Sequence, residues 1–185
     1  MSLAVYRTLI LDRLREQIPL VLERYRTFHD VTEDDAPDPA VYHPGPPPLT
    51  AAEGYPAVYV TPLELLSLSR SERPTEYTAR YRFEAVAYVK GDTAPHAQTQ
   101  LAALAYVLRA ALIGRPRLSD RVVLSPTTLT ERYSAIDPVA GGTLAGIAAV
   151  FELTAEETSF PDPPRGTVAA VGLTIEKVPV PDPID

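Results

Sequence analysis

The chain has 185 residues, 45% of them hydrophobic and 22% charged, and no cysteine; that is a globular composition long enough for a real apolar core, and it excludes disulfides, thiolate chemistry and a Cys-ligated zinc. Its 17 Lys and Arg against 24 Asp and Glu leave a formal charge of −7, which argues against a surface built to neutralise phosphates and so against stable nucleic-acid binding. The 20 prolines are about twice the usual share of roughly 5%; they gather in residues 36–48 and again after Phe160, so those two regions are not expected to be core.

The first residues, MSLAVYRTLILDRLREQ, meet charge at Arg7, Asp12 and Arg13 before any long apolar run develops. They read as neither a signal peptide nor a membrane span, and no later stretch approaches the roughly 18 apolar residues a span requires. A soluble protein with no membrane partner is expected. Ser2 can cap a helix in which Leu3, Tyr6, Ile10, Leu14 and Ile18 recur at three- and four-residue steps. Val21, Leu22 and Tyr25 continue the stripe beyond Pro19, which predicts a helix that runs on, with a bend, to about Arg26.

Residues 28–54, FHDVTEDDAPDPAVYHPGPPPLTAAEG, lose both periods and read as a long loop or arm with polyproline II character. YPAVYVTPLEL, 55–65, then reads as a strand, with Pro56 and Pro62 placing it at an edge or marking its ends. In EYTARYRFEA, Tyr77, Ala79, Tyr81, Phe83 and Ala85 alternate with Glu76, Thr78, Arg80, Arg82 and Glu84, a strand with one apolar and one charged face. Both faces turn apolar at 86–89.

Gly91 closes that strand, Asp92 or Thr93 can cap a second helix, and Pro95 suits its first turn. Leu101, Leu104, Ala105, Leu108 and Leu112 form its core stripe, and Gly114 followed by Pro116 stops it. Ala102, Ala103, Tyr106 and Ala110 make most of the other side small and apolar too, so the helix is either buried on two sides or packs against another subunit. RVVLSPTTLTERY, 121–133, and the strand from Gly142 to about Thr154 form an antiparallel hairpin around DPVAGG; the second is apolar at both alternating sets and therefore central. A last strand, TVAAVGLTIEKV at 167–178, precedes an extended terminus.

The fold class is thus α+β: a mainly antiparallel sheet of four to five strands flanked by two helices. Residues 1–160 form a single domain that includes the 28–54 loop, and 161–185 are a C-terminal extension.

No stretch supplies a convincing active site. VKGDTAPHAQ has the strand-turn-helix form of a phosphate cradle, but it offers one glycine, a proline where an N–H is wanted and an acidic cap. HDVTEDD, 29–35, gathers carboxylates without the alternation or glycine of a calcium loop, and reads as a solvated acidic loop. His29, His43 and His96 are too far apart for a local zinc motif. Ser125 lacks a glycine-flanked elbow, and Glu156 with Glu157 sits in a polar strand end. PGPPPL could engage an SH3-type groove, but a solvated linker is the simpler reading. No catalytic residue, cofactor or metal is assigned.

The order of elements carries a resemblance. An N-terminal helix, a long loop, YPAVYV, the strand YTARYRFEAVAYVKG, the helix AQTQLAALAYVLRAAL and a final pair ending TLAGIAAVFELTAEE resemble the tail terminator (tail completion) and neck proteins of long-tailed bacteriophages. The resemblance covers about residues 2–157 and rests on element order and texture, with no diagnostic motif. It implies a structural virion protein made in the host cytoplasm and assembled as a ring, a hexamer in that family. The ring would end a growing tail tube, contact the tail tube protein and the head connector or neck protein, and leave a lumen through which DNA passes without specific binding. The 28–54 loop and the segment after Phe160 depart from the pattern and leave a neck or sheath-contacting variant open.

Subunit contact is then expected at Ala102, Tyr106 and Ala110 of the second helix or at the charged strand face of Arg80, Arg82 and Glu84. Tyr42, Pro46, Pro47 and Pro48 in the loop and Val178 and Val180 in the tail are the candidates for docking on neighbours. The competing readings are a small α+β ligand-binding domain or enzyme with a pocket between sheet and helices, and another minor tail subunit.

Overall fold

The computed structural model describes residues 3–45, 54–70, 75–134, 137–139 and 141–158. In chain order these form α1 (Leu3–His29), β1 (Val41–His43), β2 (Ala57–Arg70), β3 (Glu76–Gly91), α2 (Ala94–Ile113), β4 (Arg117–Ser119), β5 (Val122–Tyr133), β6 (Asp137–Val139) and β7 (Gly142–Thr158). The strands make one sheet in the order β1-β2-β3-β7-β5-β4, with β6 also pairing β7. All the pairings are antiparallel except β1 with β2, which is parallel.

β3 and β7 pair without a break from Glu76 opposite Thr158 to Gly91 opposite Thr143. Because side chains alternate across a strand, this register puts Phe83, Ala85 and Ala87 on one face with their partners Phe151, Ala149 and Ile147. Phe83 and Phe151 stack with ring centroids 6.5 Å apart. Onto this face pack Tyr6, Ile10, Leu14, Ile18 and Leu22 of α1 and Leu101, Leu104, Leu108 and Leu112 of α2, and together they form the core. Burying each large apolar side chain contributes about 1.5–3 kcal/mol. Among the described residues no helix lies on the opposite face.

α1 runs through Pro19, which is exposed between buried Ile18 and Leu22. The proline forfeits one intrahelical hydrogen bond, and burial of the stripe on both sides of it offsets that loss. The helix ends one turn beyond the expected Arg26, at His29, followed by Asp30 with φ 52°. Arg26 then directs the chain: Nε and Nη2 donate to the Ala36 carbonyl at 2.8 and 2.6 Å, and Nη2 meets Asp38 at 2.9 Å. The Ala40 N–H donates to the Pro56 carbonyl at 2.8 Å, which lays β1 alongside β2.

The four long strands fall in the expected stretches, although β2 runs past Leu65 to Arg70, β7 runs past Thr154 to Thr158, and the expected turn at 137–142 contains β6; β7 is central. Among the described residues the sheet nevertheless has seven strands rather than four to five, and it is not wholly antiparallel. The additional β1, β4 and β6 have three residues each, too few to express a period of two. β1 falls inside the expected 28–54 loop. The expected strand at 167–178 lies outside the described residues.

Two interruptions shape the sheet. On β5 the register passes from Ser125 opposite Glu152 to Thr130 opposite Val150, so residues 126–129 face Phe151 alone. Pro126 cannot donate to a ladder; instead the Thr128 hydroxyl donates to the Ser125 carbonyl at 2.8 Å and accepts the Glu152 N–H at 2.9 Å. On β2 bulges fall at Leu63 and Leu66. Leu63, Leu65 and Leu68 are exposed, and among the described residues only Ala57–Tyr59 of β2's outer edge is paired, by β1.

The free end of the central pair is fastened to α1. Glu157 Oε1 accepts the Tyr6 hydroxyl at 2.6 Å and the Tyr81 hydroxyl at 2.8 Å, and the two rings lie 5.4 Å apart. Burial first, and then the Glu157 carboxylate, pushes both hydroxyls up, Tyr81 to about 12 and Tyr6 further.

Replacing Thr128 by Val is expected to destabilise the fold by about 1–3 kcal/mol, because the Glu152 N–H loses its acceptor. The exposed neighbour change Thr127→Val should stay within about 0.5 kcal/mol. Urea unfolding reads both, and equal losses would refute the bridging role. A second expectation concerns alkali. An unfolded tyrosine ionises near pH 10, whereas folded Tyr81 holds its proton to about 12, so the unfolded state sheds protons first. Stability should be full below pH 10 and fall as pH rises towards 12, less steeply in Glu157→Gln. Urea midpoints that stay flat across that window would contradict the assignment.

Candidate subunit and partner surfaces

The end of β3 and the start of α2 are set by one close approach. A Cβ on Gly91 would lie 2.4 Å from the Ala97 nitrogen, so only glycine lets the strand pass beneath the helix's first turn. Thr93 caps that turn, its side chain accepting the His96 N–H at 3.4 Å. The acidic stretch at 29–35 is tied to the same place: the Asp34 carbonyl accepts the Gln100 side-chain amide at 2.9 Å and lies 3.2 Å from His96 Nε2. This loop therefore braces α2, and among the described residues no group of His, Asp and Glu is arranged to hold a metal.

α2 buries most of its circumference, leaving Ala102 and Tyr106 exposed and Ala110 half-buried along one line. Ala103, which the sequence sets on the same side, is buried instead, and each side of the remaining line is a groove. The groove between α1 and α2 has a volume of about 490 Å³, and the one between α2 and the end of β5 about 560 Å³; Tyr106 lines both. On the α1 side Tyr25 lies 5.3 Å from Tyr106 and 4.4 Å from His29, and Phe28 lies 5.0 Å from His29. Phe28 is 84% exposed and Leu20 is 49% exposed, at the outer end and middle of α1.

On the β5 side, Arg109 Nε and Nη2 donate to Glu131 Oε1 and Oε2 at 2.6 and 2.8 Å, and the Tyr133 hydroxyl donates to Oε2 at 3.0 Å. The Arg109 hydrogen bonds hold the Glu131 carboxyl below its ordinary 4.5, against an opposing effect of burial.

Arg80, Arg82 and Glu84 lie on the helix-free face of the sheet. Arg80 pairs with Glu152, and Arg82 pairs with Glu64 and reaches Glu152 at 3.7 Å, a ladder across β2, β3 and β7. Beside it Tyr59 and Tyr88 sit 5.7 Å apart, and Tyr88 lies over Gly146, where a Cβ would come within 2.6 Å of the ring. The two arginines of this face are thus paired within the chain, and such exposed pairs contribute about 0–1 kcal/mol each.

Tyr42 is half-buried in β1, with the Arg15 guanidinium 5.7 Å from its ring centroid and donating to its carbonyl at 3.3 Å. Burial pushes its hydroxyl well up, and that hydroxyl has no partner among the described residues. Pro46, Pro47, Pro48, Val178 and Val180 lie outside the described residues. The structure does not bring the α2 ridge and the charged strand face together: they occupy opposite sides of the sheet. The helix-helix groove was not legible beforehand, since Tyr25 reads as one more residue of the core stripe.

No protein-family model matches the chain and no curated protein does. Among solved structures the chain is similar to one from the "Virion of native gene transfer agent (GTA) particle", at 20% identity and a TM-score of 0.32, over 64% of this chain and 79% of that one. No function is drawn from a likeness of that degree.

A folded-state carboxyl held low contributes stability above its unfolded value that is lost as pH falls. Glu131 is therefore expected to add an acid limb to the stability profile below about pH 4.5. Arg109→Gln should flatten that limb, and urea midpoints against pH that match the parent protein would sink the attribution.

Proposed function

We propose that the chain is a structural virion protein that assembles as a ring, a hexamer by the resemblance of its element order, at the end of a phage tail tube. In this reading one face of the ring stops tube growth and the other receives the head connector or neck. The single observation that carries the assembly reading is the α2 ridge. Ala102, Tyr106 and Ala110 present an apolar line between two open grooves, and a ridge of this kind seated on a different surface of the next copy is a head-to-tail contact, which gives a ring where the rotation from copy to copy closes and an open filament where it does not.

The charged sheet face, already paired internally, is the weaker candidate for that contact. It suits a solvated lumen, and the −7 charge suits a passage past which DNA moves without being held. A neck or minor tail subunit is the nearest variant. The second reading, a small ligand-binding domain, is favoured by one observation, the groove of about 490 Å³ walled by aromatic rings.

Light scattering coupled to size exclusion, with negative-stain images of the same fraction, separates the two. Rings in solution, or a monomer that becomes a ring when tail tubes are added, are expected. Ala102→Glu with Tyr106→Glu should leave the melting transition in place and abolish ring formation, since both positions are exposed. A stable monomer or dimer that ignores tubes would remove the terminator reading.

A further inference from the structure

The groove between α1 and α2 has a chemical character that ridge packing does not use. Its walls carry Tyr25, Phe28, His29 and Tyr106 with Arg24 and Arg115, and no carboxylate lines it. The rings succeed one another at 5.3, 4.4 and 5.0 Å, a continuous aromatic surface. Gln17, also in its lining, has a buried side-chain amide nitrogen without an acceptor among the described residues.

Aromatic-lined grooves suit polyproline II segments, whose flat rings lie on aromatic faces and whose backbone carbonyls are unpaired. The sequence contains a proline-rich stretch with the complementary charge. Residues 178–185, VPVPDPID, place Pro179, Pro181 and Pro183 at every second position and add Asp182 and Asp185 with no cation. Of the other proline-rich runs, PGPPPL at 44–49 is uncharged and PDPPRG at 161–166 sets Arg165 against its one acid, Asp162, so the two arginines favour residues 178–185.

Reach is sufficient. β7 ends at Thr158, beside the Glu157 carboxylate that holds Tyr6. From Tyr6 to Tyr25 α1 rises about 28 Å at 1.5 Å per residue, whereas a chain as long as that from Thr158 to Pro179 can span at most about 70–75 Å.

We infer that residues 178–185 of the chain dock in its own α1–α2 groove, with the prolines on the rings of Tyr25, Phe28 and Tyr106 and the two aspartates beside Arg24 and Arg115. With the tail seated there, one flank of the α2 ridge is covered. The inference needs no neighbouring subunit and stands apart from the ring reading.

The test uses the full chain with photoreactive benzoylphenylalanine in place of Tyr106 or, separately, of Phe28. Irradiation followed by peptide mapping should give residues 178–185 as the main crosslinked product at both sites. The same group in place of Val123, an exposed residue of β5, should give none. Arg24→Glu combined with Arg115→Glu should lower the yield several-fold, and Asp182→Lys with Asp185→Lys likewise. Mixing nitrogen-15 and nitrogen-14 chains shows whether each crosslink lies within one chain. Crosslinks to other segments, none at either site, or crosslinks only between chains would each overturn docking of the chain's own tail.

Discussion

The unbroken pairing of β3 with β7 is the constraint on which the rest depends. A register without a bulge over sixteen residues fixes which side chains face which way along the whole length of the molecule, and one slip would turn every one of them over. With Phe83 and Phe151 locked as partners, a single face is apolar enough to receive helices, and α1 and α2 both go there. The helices then have one side of the sheet to share, so their mutual groove and their outer ridges follow from the strand register rather than from any preference of the helices for each other.

That arrangement separates two kinds of surface. The helical side carries exposed charges such as Asp12, Arg15 and Glu23, but it also keeps Phe28, Tyr106 and Leu20 in water. The strand side is charged, but Arg80, Arg82, Glu64 and Glu152 satisfy one another. Exposed ion pairs contribute little and lose it to salt, whereas apolar area gains free energy wherever it is covered. On magnitude alone the helical side has more to gain from a partner, and for that reason the assembly reading rests there.

Much of the frame was legible in the sequence because its signals are long. Tyr77 to Ala85 alternate over enough residues to define a strand and its faces, and Leu101, Leu104, Leu108 and Leu112 repeat over enough turns to define a helix. Pro19 was correctly passed over because Leu22 and Tyr25 resume the stripe. What was not legible is short or tertiary. Val41–His43 becomes a strand because Arg26 and the Ala40 N–H hold it against β2, contacts that no local pattern encodes. The acidic run at 29–35 looked like solvated loop, yet the Asp34 carbonyl is a brace for Gln100. The aromatic groove joins Tyr25 and Tyr106, eighty-one positions apart, and becomes visible only when the helices are laid side by side.

The two bulges of β2 bear on how the folded chain avoids pairing with copies of itself. A long strand whose edge beyond Tyr59 meets no other strand among the described residues, and which exposes three leucines, is the form that seeds edge-to-edge polymerisation. The extra residues at Leu63 and Leu66 break the even spacing of N–H and C=O groups and twist the strand, so that a second straight strand cannot run a continuous ladder along it. Leucine side chains remain available to a shaped partner while the backbone refuses a generic one, a safeguard against fibre formation written into the strand itself.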